Sequence, residues 1–166
     1  MYKETYTEEL RAYFGTDQRR INHALKVLDY AEKIMAGETL DEEKRKIVTI
    51  TALLHDVGIK IAEEKYGSSA GHYQEIEGPA IVQEMMCRQG EHSELIERVS
   101  YIVGGHHTPA KNNGLDFQIL WEADLLVNIE EDGAVSQGDN QLKTVIARNF
   151  KTSIGIMIAK NKFLKY

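Results

Sequence analysis

Apolar residues recur every three or four positions along most of this chain, which is the spacing of one face of an α-helix. The pattern is strongest over residues 18–35, and Gly37 follows it. The apolar stripe consists of Ile21, Leu25, Leu28 and Met35. Asp17 stands immediately before the segment and can accept a hydrogen bond from its first turn, so we predict a helix that Asp17 caps and Gly37 ends.

The same spacing predicts helices through the rest of the chain. They cover about residues 7–14, 41–54, 73–88, 93–106, 117–131, 140–150 and 153–164, with a short helix or loop over 61–66 and a Gly-, Ser- and Asp-rich loop after residue 131. Thr5 or Thr7 is expected to cap the first, and Asp41 begins the acidic first turn of the helix over 41–54. The alternation of Ile154, Ile156 and Ile158 also suits a strand, but nothing else in the chain supplies a sheet. We predict an all-α, single-domain helical bundle.

The amino-acid composition limits the binding partners and the cellular location that we expect. The chain has 166 residues, of which 42% are hydrophobic and 28% charged, as is typical of a globular domain. Its net charge is -6 and its Lys and Arg residues form no cluster, so neither a nucleic-acid duplex nor an anionic membrane is expected as the main partner. Cys87 is the only cysteine, which excludes a disulfide framework. With no apolar leader or long apolar run visible, we predict a cytoplasmic protein.

The most informative stretch is the apolar run over residues 47–54, which ends in His55 and Asp56. Both side chains are metal ligands, and the end of a helix buried by its own apolar face is a rigid place to hold them. Gly58 follows, and we predict that it stops the helix in the left-handed conformation that glycine enters without strain.

Two further polar residues face the predicted core. Asp124 has Leu120, Trp121 and Val127 as helical neighbours, and an aspartate on an apolar face is costly unless it is paired or bound to a cation. It is therefore a metal ligand or a buried, hydrogen-bonded acid, and Trp121 is read as core. His23 faces inward too, as a ligand or as a satisfied core histidine. Together with the His55–Asp56 pair, these residues come from three helices, which is how helical bundles build metal sites.

The segments around these four residues resemble the HD-domain metal-dependent phosphohydrolases, whose pattern is H…HD…D. The resembling segments are Asn22-His-Ala-Leu-Lys-Val27, Leu53-Leu-His-Asp-Val-Gly58 and Glu122-Ala-Asp-Leu-Leu-Val127. The resemblance spans about residues 18–130, and it implies one HD domain over 1–166 with the helices of 138–166 packed onto the motif core. It further implies that His23, His55, Asp56 and Asp124 hold one divalent cation, for which Mn, Fe, Co, Ni, Zn and Mg are all candidates.

The family often adds a second metal, which the resemblance leaves open in this chain. His106 and His107 resemble the family's later histidine pair. The other expected histidine lies four residues before a glycine, but Gln74 stands four before Gly78, and His72 is two residues too early. His72, or else Glu75 or Glu77, could take the place of that ligand.

The resemblance implies hydrolysis of a phosphate ester or anhydride, with a small molecule such as a nucleotide as the substrate. A metal centre attracts such a ligand despite the negative total charge. Asp56 or Asp124 would orient or deprotonate water, and His106 and His107 would bind a second metal or neutralise and protonate the leaving group. Lys60 would contact a substrate phosphate, unless it is a plain surface charge.

Two other functions stay open from the sequence. One is an HD-type di-iron oxygenase, which needs both metal sites, so that Gln74 argues against it. The other is a non-catalytic module that binds metal or nucleotide. A homodimer is neither indicated nor excluded.

Overall fold

The computed structural model describes residues 1–133 and 138–165, and in these ranges it contains helices and no strand. The helices are α1 (Tyr2–Phe14), α2 (Gln18–Ala36), α3 (Glu42–Leu54), α4 (Gly58–Tyr66), α5 (Gly71–Arg88), α6 (Ser93–Val103), a 3-10 turn (Pro109–Lys111), α7 (Leu115–Glu131), α8 (Asp139–Asn149) and α9 (Ser153–Phe163). The predicted all-α fold is confirmed. Residues 134–137 of the loop predicted after α7, and Tyr166, lie outside the described ranges.

Helix α3 is the centre of the bundle. It packs against α1, α2, α6 and α7, and all of its residues from 47 to 54 are buried. A helix that is apolar on all sides is expected only in the middle of a core. The residues that directly follow α3 therefore lie in the interior of the protein.

The cap predicted at Asp17 is confirmed, and Asp41, which was predicted to begin the first turn of α3, caps that helix instead. The carboxylates of Asp17 and Asp41 accept hydrogen bonds from the backbone N–H of Arg20 and Lys44. The prediction that Thr5 or Thr7 caps the first helix is wrong, because α1 begins at Tyr2 and both hydroxyls donate to carbonyls one turn back within it. Such back-bonding is the usual way in which a threonine inside a helix satisfies its hydroxyl.

One buried acid of α7 is hydrogen-bonded to the segment that joins α8 to α9. Glu122 is fully buried, and its carboxylate accepts hydrogen bonds from Gln118 Nε2 (2.7 Å), from the backbone N–H of Lys151 (2.6 Å) and Thr152 (2.9 Å), and from the Thr152 hydroxyl (2.5 Å). The Thr152 hydroxyl also caps α9 by accepting from Gly155 N–H. The alternating isoleucines of this segment thus belong to a helix, and no helix of the described residues is long and apolar enough to cross a membrane.

Gly58 is required for a different reason from the one predicted. It does not adopt the left-handed conformation, and it begins α4 instead of ending α3. A Cβ atom at Gly58 would lie 2.5 Å from the Gln74 carbonyl oxygen and 2.9 Å from the Gly78 nitrogen. Glycine is needed here because the backbones of α4 and α5 approach too closely for a side chain.

We expect Gly58→Ala to destabilise the protein by about 1–3 kcal/mol, because the added methyl group forces α4 and α5 apart. Thermal or denaturant unfolding measures the change. Gly138→Ala is the matched control, since Gly138 has a negative φ and no atom of the described residues lies within 4 Å of a Cβ built there. Equal stability of the two variants would contradict the close-approach explanation.

Candidate metal centre

The turn over residues 55–57 joins α3 to α4 and carries the first two candidate ligands. His55 is fully buried, and its Nδ1 lies 2.9 Å from the carbonyl oxygen of Ala52 in the last turn of α3. Since a carbonyl can only accept, Nδ1 carries the proton. A neutral His55 therefore presents Nε2 as a lone pair to the interior.

His106 repeats this arrangement after α6. The predicted helix over 93–106 ends at Val103, and a turn follows it. His106 Nδ1 lies 2.8 Å from the Val103 carbonyl oxygen, so this imidazole also satisfies a terminal helix carbonyl and points Nε2 inward. The ends of α3 and α6 thus position two histidines in the same way.

His23 comes from α2 and is oriented by the end of α7. Its Nδ1 lies 3.1 and 3.2 Å from the two carboxylate oxygens of Glu131, so Nδ1–H donates there. Its Nε2 lies 3.1 Å from Asp124 Oδ1. A carboxylate that holds the far nitrogen of a histidine is a common support for a metal ligand.

Asp56 connects all three of these histidines. Its Oδ2 lies 3.4 Å from Nε2 of both His23 and His55, and its Oδ1 lies 3.3 Å from Nε2 of His106. Asp124 Oδ1 lies 3.4 Å from His55 Nε2. Potential ligand atoms within 4.8 Å of one another form two groups, which are His23–His55–Asp56 and Asp56–His106–His107. Asp56 belongs to both groups.

The electrostatics of this cluster call for a cation. The Nε2 atoms of His55 and His106 are buried and have no hydrogen-bond partner among the described residues, and the nearest polar atoms are carboxylate oxygens. Burial alone would lower the pKa of His55, but the carboxylates of Asp56 and Asp124 outweigh it and raise that pKa well above its usual value. The same contacts overcome burial and lower the pKa of Asp56. Imidazole and carboxylate together fit a divalent metal ion.

His107 and Gln74 form a linked pair beside the cluster. His107 Nε2 lies 3.0 Å from Gln74 Oε1, and the Gln74 amide nitrogen donates to the Ser69 carbonyl, which fixes the amide orientation. Desolvation of its ring, with His106 beside it, lowers the pKa of His107 to about 4, although the residue as a whole is exposed. His107 is then neutral at pH 7, the form that a metal ligand needs. Gln74 therefore orients His107 from the position where a histidine was expected.

Two predicted residues are not brought to the cluster. His72 is exposed, with its ring centroid 3.9 Å from that of Tyr73, and it belongs to neither ligand group. Lys60 is exposed, and its Nζ lies 5.3 Å from the centroid of the Tyr13 ring. Glu75 and Glu77 are also engaged elsewhere, with Thr108 and Lys65 respectively.

A polar cavity of about 300 Å³ opens onto the cluster, and it contains residues that sequence reasoning missed. Arg19 and Arg20 line it, together with His23, Asp56 and Asp124. Arg20 is paired with Glu63 at 2.5 Å and with Asp17, whereas Arg19 is exposed and has no ion pair among the described residues. The arginines stand one helical turn before His23, which was a usable signal. Glu131 stands two turns after Asp124 on α7, and that spacing was a signal as well.

The chain has informative similarities to known proteins. The model of the HD domain family matches residues 20–140. A crystal structure of a predicted HD superfamily hydrolase from an uncultured Thermotogales bacterium superposes with a TM-score of 0.66 and 22% sequence identity, covering 95% of this chain and 83% of that one. This likeness shows the fold. No curated protein is significantly similar in sequence.

Proposed function

Because the chain belongs to the HD-domain family, we propose that it is a metal-dependent phosphohydrolase that acts on a small phosphorylated substrate. A nucleotide phosphomonoester, diester or anhydride is the substrate class that we favour. The observation that carries the proposal is that the buried Nε2 atoms of His55 and His106 face the carboxylates of Asp56 and Asp124 without a hydrogen bond to any described residue. Carboxylates packed in a buried site are costly unless a positive charge lies among them, and the raised pKa of His55 reflects the same demand.

His23, His55, Asp56 and Asp124 would hold the first divalent ion, and Asp56, His106 and His107 a second. In such a site a divalent cation lowers the pKa of water from about 15.7 toward 7 and neutralises charge on a phosphoryl oxygen. Asp124 and Asp56 then supply carboxylate oxygens that can orient the attacking water and take its proton. Glu131 and Gln74 keep the imidazoles of His23 and His107 in fixed orientations.

Arg19 takes the role that the sequence suggested for Lys60. Its guanidinium lines the polar cavity that opens onto the ligand cluster, whereas Lys60 does not line that cavity. Guanidinium binds phosphate oxygens through paired hydrogen bonds, and Arg19 is not neutralised by a described acidic residue. We propose that Arg19 binds an anionic group of the substrate at the mouth of the cavity.

The proposal is tested by reloading the metal-stripped protein with Mn²⁺, Co²⁺, Ni²⁺, Zn²⁺ or Mg²⁺ and measuring the release of phosphate, pyrophosphate or, from the diester, p-nitrophenol. The substrates are adenosine 5′-monophosphate, inorganic pyrophosphate, a nucleoside triphosphate and bis(p-nitrophenyl) phosphate. We expect turnover of at least one, and a loss of at least about 10²–10³-fold in His55→Ala. His92→Ala is the matched control, because His92 is exposed and pairs with Glu43 on the surface.

No turnover with any metal would count against the hydrolase. Iron-dependent oxygen uptake would then favour the di-iron oxygenase. Tight nucleotide binding without turnover would instead favour the non-catalytic module.

A further inference from the structure

A second cavity adjoins the ligand cluster from the side of α7. It has a volume of about 280 Å³, and we call it the Trp121 cavity. Its apolar wall consists of Trp121, Pro109 and Leu125. His107, Asp124 and Asn128 line both this cavity and the polar cavity, so the ligand cluster lies between the two.

Trp121 was read as core from the sequence, but it is only partly buried. Its Nε1–H donates to Asn149 Oδ1 at 3.2 Å, and Asn149 Nδ2 donates in turn to the Val145 carbonyl at 2.9 Å. The indole also packs against Phe117, with 6.5 Å between ring centroids. These contacts fix the orientation of the indole plane, so that a rigid aromatic surface lines a cavity next to the ligand cluster.

The two cavities differ in chemistry. Arg19 and Arg20 give the polar cavity cationic groups, whereas the Trp121 cavity is lined by the indole together with Pro109 and Leu125, and the Asn128 amide is shared by both. A rigid indole binds a flat ring by stacking, and a nearby amide can hydrogen-bond the edge of such a ring. If the substrate phosphate lies at the ligand cluster, the Trp121 cavity remains available for the group attached to that phosphate.

We propose that the Trp121 cavity is a subsite for a planar aromatic ring of the substrate, which in a nucleotide is the base. The identity of the phosphate compound rests on the proposed function, whereas binding of the ring does not require turnover. Trp121 is then a residue that determines substrate specificity, and it lines a different cavity from Arg19.

The test compares the affinities of ligands with and without the ring. Metal-loaded protein is titrated by calorimetry with adenosine 5′-monophosphate and with ribose 5-phosphate, and quenching of the only tryptophan of the chain is followed in parallel. We expect the ring-bearing ligand to bind about tenfold more tightly and to quench the tryptophan. A second pair, p-nitrophenyl phosphate and methyl phosphate, shows whether the subsite takes any ring or requires a base.

Substitutions of Trp121 test whether the ring preference depends on this residue. Trp121→Leu should weaken the binding of adenosine 5′-monophosphate about tenfold and change the affinity for ribose 5-phosphate by less than about twofold. Trp121→Phe should keep most of the preference for the ring-bearing ligand. Tyr101→Leu is the matched control, because Tyr101 also packs against Phe117 but lines neither cavity. The comparison in the unmodified protein needs no variant to fold.

Equal affinities of the ring-bearing and ring-free ligands in the unmodified protein would overturn the proposal, as would equal weakening of both by Trp121→Leu. Phosphate release without a ring preference would reject the subsite and keep the hydrolase. A Trp121-dependent preference without any turnover would keep the subsite and reject the hydrolase.

Discussion

Asp56→Ala should leave the protein unable to retain any divalent metal, with turnover lowered by at least about 10²–10³-fold. The reason is that Asp56 is the one residue shared by the two ligand groups, since Oδ2 faces His23 and His55 while Oδ1 faces His106. Metal content per chain, measured by elemental analysis after reloading and dialysis, gives the result. Circular dichroism establishes that the variant is folded.

His106→Ala and His72→Ala complete this experiment. His106 belongs only to the second group, so we expect His106→Ala to lose at most one metal and to keep the ion held by His23, His55 and Asp56. His72 is exposed and outside both groups, so His72→Ala should retain the metal content of the unmodified chain. Metal retained by Asp56→Ala, or lost from His72→Ala, would refute the ligand assignment.

Glu122→Ala is expected to have the largest effect on stability, with a loss of about 3–5 kcal/mol. Removing the carboxylate leaves four donors of Gln118, Lys151 and Thr152 without their acceptor in a buried position. It also opens the contact with Gly155, where a Cβ atom would overlap the Glu122 carboxylate. Urea-induced unfolding measures the free-energy change.

Glu97→Ala serves as the comparison, because Glu97 is an exposed glutamate of α6 and should change the stability by no more than about 0.5 kcal/mol. The stability of Glu122→Gln should lie between the stabilities of Glu122→Ala and Glu97→Ala, because the amide keeps one acceptor oxygen but turns a donor toward other donors. A Glu122→Ala protein as stable as Glu97→Ala would show that α9 is held by apolar contacts alone.

Sequence periodicity predicted the helices and the inward direction of His23 and Asp124, because both depend on neighbours three and four residues away. The cap at Asp17 was predicted from local sequence as well, and it is confirmed. The structure brings His23, His55, Asp56 and Asp124 within hydrogen-bonding distance of one another or slightly beyond. Their role as ligands stays a prediction until a metal is measured.

What the sequence did not show depends on segments far apart in the chain. Gly58 is explained only by the approach of α5, and the role of Gln74 only by its contact with His107, 33 residues later. Trp121 looks like a core residue from its apolar neighbours, but the cavity beside it is bounded by Pro109 on another segment. Such features require the packed arrangement, since no local pattern contains them.

The burial of α3 on every side has a consequence for how the protein fluctuates. Amide protons exchange with solvent water through local opening only where a segment can separate from its neighbours at low cost. Residues 47–54 are buried among α1, α2, α6 and α7, so we expect their amides to exchange only when the bundle opens. The histidine and aspartate that follow α3 are anchored to this protected segment, and we expect the geometry of the centre to persist for as long as the fold does.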